Sequence, residues 1–406
     1  TFPGDADCSP IRGHCDHRIH RSHREVNFLI MKSSILTFFL ALILGTTLAH
    51  GAMIMVSPGQ SAQTAVDGAS NGDIIRVMPG NFGDLVIVDK NLTIRKHSTT
   101  PPTFGNLEVN GSAVTLIGIE ATNLTARDTS NPTKLEIVQG YYSGLIDFNA
   151  TEGNFLYAGI RRLIFTGKGN VVGCDLNGNS QGGIGISVEG TDTFLSVRNS
   201  HIHDYQKAHG SVITEECLGI RVKGGSYAEI INNIIENCSD LNQNSTEIKS
   251  AKAILVLDGG PITRIVGNLI RDCYIQHESN HFLMAPMGTV LRNNFFKILD
   301  GNHANRGQAF TGGVVGVDNI AEAIDPKLNS DFTLKPDSPC IDKGPPDPQY
   351  NDRDGSRNDI GMFGGHNFIP DGKTTNKPIV LGLDVAPIAV PVDGTVTIES
   401  TGATVK

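Results

Sequence analysis

Three loops in the middle of the chain gather the side chains best suited to chemistry. Residues 205–218 hold Lys207, His209, Glu215 and Glu216. Residues 239–252 hold Asp240, Glu247, Lys249 and Lys252, and residues 274–281 hold His277, Glu278 and His281. Lysine and histidine can act as general bases or neutralise an anion, and grouped carboxylates can hold a cation. Polar loops carry such residues on any fold, so their types alone do not make a site. A second constellation lies near the far end. Asp352-Arg-Asp354-Gly355, followed by Asp359, puts carboxylates on one turn, with a glycine allowing the bend, as a Ca²⁺ loop requires. Ion pairing with Arg353 and Arg357 would use the same carboxylates.

The elements that must position these loops repeat. Val172-Gly-Cys-Asp-Leu176, Val197-Arg-Asn-Ser-His-Ile202, Ile231-Asn-Asn-Ile-Ile235, Val266-Gly-Asn-Leu-Ile270 and Leu291-Arg-Asn-Asn-Phe295 align, each opening on an aliphatic residue. A second short strand precedes three of them: Gly185–Gly190, Gly219–Gly224 and Ala253–Gly259. Short β-branched strands at a repeat of 25 to 35 residues read as a solenoid, a right-handed parallel β-helix in the all-β class. One rung cannot bury its own apolar face, and stacking closes the core. The recurring Asn belongs at sharp bends, where it tolerates left-handed backbone and can bond to its equivalents along the axis. A β-sandwich would need two-residue Asn-Gly or Asp-Gly hairpin turns, which are scarce. The alignment predicts that Val172, Val197, Ile231, Val266 and Leu291 form one inward column. It also predicts a solvated charge ladder of Glu189, Lys223 and Asp258. The three loops follow the Asn-containing strands, so they should leave one edge and wall one groove.

A net charge of −9 without an extended basic block argues against nucleic acid as a partner. Met31 to Ala49 carries a short basic start, a largely apolar run of ten residues from Ile35 to Leu44 and a small-residue exit, the pattern of a secretory signal peptide. A run of ten residues is half of the roughly 20 that span a bilayer. We therefore expect residues 31–52 to be a signal peptide and residues 1–30 a non-native leader upstream of the true start. The leader's His14, Cys15, His17, His20 and His23 are set aside as a metal site on that ground. The expected domains are the β-helix at 53–368, a linker at 369–378 and the start of an immunoglobulin-like β-sandwich at 379–406. Cys238 and Cys273 share an offset in neighbouring rungs. A disulfide and a stack of two free thiols both remain open for them.

Residues 61–69 form a short amphipathic helix suited to covering the first rung, with Ala62, Ala65, Val66 and Ala69 on one face. The run Ala65-Val-Asp-Gly-Ala-Ser-Asn-Gly-Asp-Ile-Ile-Arg-Val-Met-Pro-Gly80, then Lys90-Asn-Leu-Thr-Ile94, resembles the opening segment of secreted β-helix proteins of the pectin-lyase-like superfamily. Asp331-Phe-Thr-Leu-Lys-Pro-Asp-Ser-Pro-Cys-Ile-Asp-Lys-Gly344, with residues 352–364, resembles the closing segment of bacterial surface proteins called choice-of-anchor Q. The two ends bracket residues 57–368, and the middle matches as generic rungs without an intact catalytic signature.

The resemblance implies extracellular work on carbohydrate. A lyase of this superfamily needs a Lys or Arg base for the proton α to a uronate carboxylate, and Ca²⁺ or a second cation to neutralise that carboxylate. Lys249, Lys252, Arg271 and His277 are the candidate catalytic residues, with Arg264 nearby in sequence. Asp352, Asp354 and Asp359 are the candidate Ca²⁺ ligands. The expectation is a secreted or cell-surface monomer that binds or degrades an extracellular polysaccharide, by lyase or else glycoside hydrolase chemistry if it is an enzyme. The alternative is a non-catalytic surface or adhesion protein whose β-helix is a stalk.

Overall fold

The computed structural model describes residues 51–207, 216–240, 251–257, 262–273, 282–297, 309–352, 355–365, 378–386 and 397–404, the last two stretches as backbone. Each turn of the chain lays down three strands, which we assign to sheets B, A and C in that order. One turn comprises Gly183–Val188 in sheet B, Phe194–Arg198 in sheet A and His201–His203 in sheet C. The next comprises Cys217–Val222, Tyr227–Ile231 and Ile234–Glu236. The third begins Ala251–Val256, Arg264–Val266 and Leu269–Arg271. Each strand pairs in parallel with its equivalent one turn later. The fold is a right-handed parallel β-helix.

The core follows from the pleat. In sheet A the inward column runs Val171, Val197, Ile230, Ile265 and Leu291. In sheet C it runs Leu176, Ile202, Ile235, Ile270 and Phe296. All ten are buried in one hydrophobic cluster. This corrects part of the column expected from sequence. Val197 and Leu291 do point inward. Val172, Ile231 and Val266 lie one residue further along, in the outward column with Arg198 and Arg292. A one-residue slip moves a strand's whole side-chain set to the other face. Ile231 and Val266 are apolar because Tyr350 of the closing segment packs over them.

The slip arises at the bend between sheets A and C. Two residues make that bend, and both favour Asn for different reasons. The first is in left-handed backbone: Asn199 at φ 49°, Asn232 at 52°, Gly267 at 68° and Asn293 at 52°. The second forms a ladder, with Asn233, Asn268 and Asn294 buried and Asn319 half-buried at its end. The Oδ1 of Asn268 accepts from Asn233 N at 3.0 Å and Asn233 Nδ2 at 2.9 Å, and Asn294 treats Asn268 in the same way. Each amide thus satisfies the bend of the rung before it, as a buried polar group must.

Two devices close the ends. At the start, the helix Ala62–Gly68 is capped by Ser61, whose hydroxyl accepts from Thr64 N at 3.1 Å, and it buries Ala62 and Val66. Lys90 Nζ donates to the carbonyls of Val66, Asp67 and Ala69, three oxygens at the end of that helix. At the far end, residues 328–352 and 355–362 return over the outside of sheet C. Cys340, Ile360, Phe332 and Met362 there cover Ile234, Leu269 and Phe295. Asn199 Nδ2 donates to the carbonyls of Met362 and Gly364, and Asn232 Nδ2 to that of Asp359, so the bend asparagines also hold the returning chain. Pro378–Ala386 and Thr397–Thr404 form a separate antiparallel pair.

Candidate functional site

Residues 204–216, 237–250 and 272–281 all link the end of a sheet C strand to the next sheet B strand, so the three loops share one corner of the solenoid. Their feet are stacked. Lys207 N donates to Ser239 O at 2.9 Å, and Ser239 Oγ donates to Asp272 O at 2.8 Å. Lys207 and Asp240 lie opposite each other in a parallel bridge, with Nζ 3.9 Å from Oδ2, and both side chains are buried. Lys249 and His277 lie outside the described residues, as do His209, Glu215, Glu247, Glu278 and His281. Lys252 is on sheet B in register with Leu218, and both are buried.

The cations named from sequence do not share one region. Arg264 is on sheet A, where its Nη2 donates to Tyr350 Oη at 3.0 Å. Arg271 is on the outer face of sheet C, ion-paired with Glu236 of the preceding rung. Among the described residues, Lys207 and Lys252 belong to the loop corner and sheet B. Proximity in sequence misled because a rung carries the chain through three faces in about 30 residues.

Beside those loops the outer face of sheet B carries a network that the sequence reading only touched. Ser187 and Arg221 are register partners. Arg221 donates through Nη1 to Glu216 at 2.7 Å, through Nη2 to Glu189 at 3.2 Å and through Nε to Ser187 Oγ at 3.1 Å. Lys223 Nζ reaches the other Glu189 oxygen at 2.7 Å. Burial works to raise the Glu189 pKa, but hydrogen bonds from Lys223 and Ser187 outweigh it and hold the carboxyl below its ordinary value. The expected ladder therefore begins correctly with Glu189 and Lys223. Its third member is displaced, because Leu257 N bonds to Val222 O and puts Leu257 beside Lys223. The segment ending at Gly259 has one residue more than the two before it, so aligning the glycines misplaced Asp258, which lies outside the described residues. Chemically this surface is a set of fixed charges of both signs. It suits binding of a polar or anionic chain. Lys223 is held in an ion pair with Glu189.

Sheet C carries a second polar cluster on its outer face. His201 and His203 are two residues apart on one strand, so both project outward, and their rings stack with centroids 4.0 Å apart. His203 Nδ1 lies 2.8 Å from Asp204 and its Nε2 lies 3.2 Å from Asp175 Oδ1. His201 Nε2 lies 3.0 Å from Glu236, and its Nδ1 lies 3.6 Å from the same Asp175 oxygen. Burial opposes the charged form of His203, but the contacts with Asp175 and Asp204 outweigh it and raise its pKa. Glu236 is pulled down to about 2: burial works against this, and bonds from His201 and Arg271 prevail. Among the described residues, Asp175, His201 and His203 are the group whose ligand atoms all come within 4.8 Å of one another. The spacing His201-Ile-His203 on a strand was the available sequence signal.

Asp352 and Asp359 lie in the closing segment, and Asp354 lies outside the described residues. The Asp352 carboxylate accepts from Asp359 N at 3.2 Å and from Gly365 N, and Asp359 Oδ1 accepts from Asp342 N at 2.7 Å. Arg357 Nε donates to Gly344 O at 2.8 Å. The pair therefore works as a clasp on the returning chain. Cys238 and Cys273 are free, buried thiols.

No family model and no curated protein matches the chain. Among solved structures, pectate lyase Pel9A is similar, at 12% sequence identity and a TM-score of 0.45, over 77% of this chain and 96% of that one. The class defined by the structure itself is the parallel β-helix.

Proposed function

We propose that the chain is a secreted β-helix protein that binds or degrades an extracellular polysaccharide, with its groove on the outer face of sheet B beside the corner where the feet of the three loops stack. The observation that carries this reading is the Ser187, Glu189, Glu216, Arg221 and Lys223 network beside three loops that leave one corner. Stacked rungs present an extended surface, and a polymer lies along such a surface, contacting successive rungs. Lys249, Lys252 and His277 are the candidates from the loops and their flanking strand, and lyase chemistry is the reaction proposed if the protein is catalytic. The signal-like residues 31–52 and the choice-of-anchor-like closing segment support placement outside the cell or on its surface.

A second reading is a surface protein that binds without catalysis. The ion pairs that Arg221 and Lys223 make with carboxylates favour it, because a base must lie within hydrogen-bond reach of the proton it takes. One experiment separates the two. The protein is incubated with a panel of neutral and uronate polymers, while binding is followed by calorimetry and elimination by the ultraviolet absorbance of the unsaturated product. Binding with elimination supports a lyase, binding alone supports the second reading, and neither with any polymer rejects the polysaccharide reading.

A further inference from the structure

We propose that Asp175, His201 and His203 form a binding site for a divalent transition ion of the zinc type on the outer face of sheet C. The proposal is independent of the polysaccharide reading, which concerns sheet B. The argument starts from the ring nitrogens. Each imidazole has one nitrogen against its own carboxylate: His203 Nδ1 against Asp204 at 2.8 Å and His201 Nε2 against Glu236 at 3.0 Å. A neutral ring that donates its single N–H there presents a bare lone pair at its other nitrogen. Both of those nitrogens, His203 Nε2 and His201 Nδ1, converge on one oxygen, Asp175 Oδ1, at 3.2 and 3.6 Å. Two lone pairs facing a carboxylate need a cation between them.

A single divalent ion would serve all three atoms, which lie within 4.8 Å of one another, with both rings neutral. The spacing also fits. A tetrahedral ion holding its ligands at roughly 2.0–2.1 Å separates them by about 3.3 Å. The two nitrogen-to-oxygen separations bracket that value. Asp204 and Glu236 then stand where ligating histidines usually have a carboxylate, accepting the second N–H and fixing tautomer and ring orientation. Arg271 in turn holds Glu236. Two imidazoles and one carboxylate suit zinc and its neighbours better than calcium, which takes oxygen ligands. Asp175 is the most exposed of the three side chains.

The test uses the full chain, stripped with EDTA, dialysed, and titrated with Zn²⁺ against a chromophoric chelator. The Asp175→Asn and His203→Gln variants are titrated beside it. The leader histidines are present in every chain, so the reading is the difference between chains. The expected result is that wild type takes up one more Zn²⁺ per chain than either variant. Co²⁺ should give wild type the visible absorption of a tetrahedral site, which the variants lack. Glu236→Gln, which removes an orienting carboxylate, should keep the extra equivalent with affinity weakened roughly 10- to 100-fold. Thermal unfolding checks each variant, and if one fails to fold the other decides. Equal uptake and equal Co²⁺ spectra in wild type and a folded variant overturn the site.

Discussion

Gln63 takes the place of a missing strand beside Val86. Its side-chain amide donates to Val86 O at 2.9 Å and accepts from Val86 N at 2.8 Å, the two bonds that a neighbouring strand would make. Val86 lies on the first sheet B strand, Leu85–Val88, which pairs on its other side with the strand of the next turn. The helix thus covers the first rung with backbone-like hydrogen bonds as well as with apolar contact. Gln63→Ala should lower stability by about 0.5–1.5 kcal/mol, the net value of one or two partly exposed bonds. It should also raise aggregation, because an unpaired edge templates other chains. Gln63→Glu keeps an acceptor and loses the donor, so its midpoint in thermal unfolding should fall between the two. Unchanged melting and light scattering in Gln63→Ala would count against this role.

The Asn ladder makes a sharper prediction. Asn268 serves Asn233 through Oδ1, while its Nδ2 donates to Ile230 O at 2.8 Å. Asn268→Ala strands several buried groups at once, and each unsatisfied group costs about 1–3 kcal/mol. The chain should lose several kcal/mol or fail to fold. Asn293 differs, since its requirement is left-handed backbone at φ 52°. Asn293→Gly should be nearly neutral and Asn293→Ala should cost about 1–2 kcal/mol. Denaturant unfolding of the three variants gives the ranking, and equal losses in Asn268→Ala and Asn293→Gly would refute the division of labour.

That division also explains how far the fold was legible. Apolar alternation, glycine and the Asn bends are enforced locally at each rung, so class and strand positions could be read directly. Register could not. Val197-Arg-Asn and Ile231-Asn-Asn look alike, yet Asn199 is the left-handed residue whereas Asn233 belongs to the ladder. Choosing between them needs the neighbouring rung. The candidate surfaces were harder still. Glu189 and Lys223 emerged because they align one rung apart. Arg221 and Glu216 were missed as a pair because they meet through side chains that leave sheet B at different points. Asp175 meets His201 and His203 across 26 and 28 residues, a contact fixed by stacking and absent from any local pattern.

A pH effect is expected at Glu136, on the outer face of sheet A. Burial there raises its pKa, nearby Glu152 adds to the rise, and a bond from Thr115 at 3.3 Å partly opposes it. A carboxyl whose folded pKa is raised contributes stability below its ordinary value and loses it as pH climbs through the folded value. Glu136→Gln removes that dependence. Melting curves taken from below the ordinary carboxylate range to neutral pH should therefore shift in favour of the variant as pH rises, and then level off. Parallel curves for the two proteins would contradict the burial argument.

The clasp at Asp352 is tested by substitution and by calcium. Its carboxylate already accepts backbone N–H groups of Asp359 and Gly365. Asp352→Ala should loosen the segment that covers Ile234, Leu269 and Phe295, with a loss of about 1–3 kcal/mol. Calorimetric titration with Ca²⁺ should show no specific heat in wild type. A saturable heat, absent from Asp352→Ala, would restore the metal reading of Asp352, Asp354 and Asp359.

The groove prediction joins the two sets of cations assigned to it. If a uronate chain lies along sheet B, Arg221 and Lys223 meet its carboxylates in exchange for Glu216 and Glu189. Lys223→Ala then removes a half-exposed cation whose pairing with Glu189 contributes little to stability, since ion pairs near the surface are worth about 0–1 kcal/mol. Folding should be unaffected while affinity for an anionic polymer falls several-fold and affinity for a neutral one stays the same. Arg221→Gln should weaken binding further, because it also frees the Glu216 and Glu189 carboxylates to repel the ligand. Lys249→Ala together with Lys252→Ala separates binding from chemistry. It should abolish turnover if the loops supply the base, while the sheet B variants mainly raise KM. A Lys223→Ala protein that binds uronate polymers as wild type does would move the groove off sheet B, whatever the loop variants do.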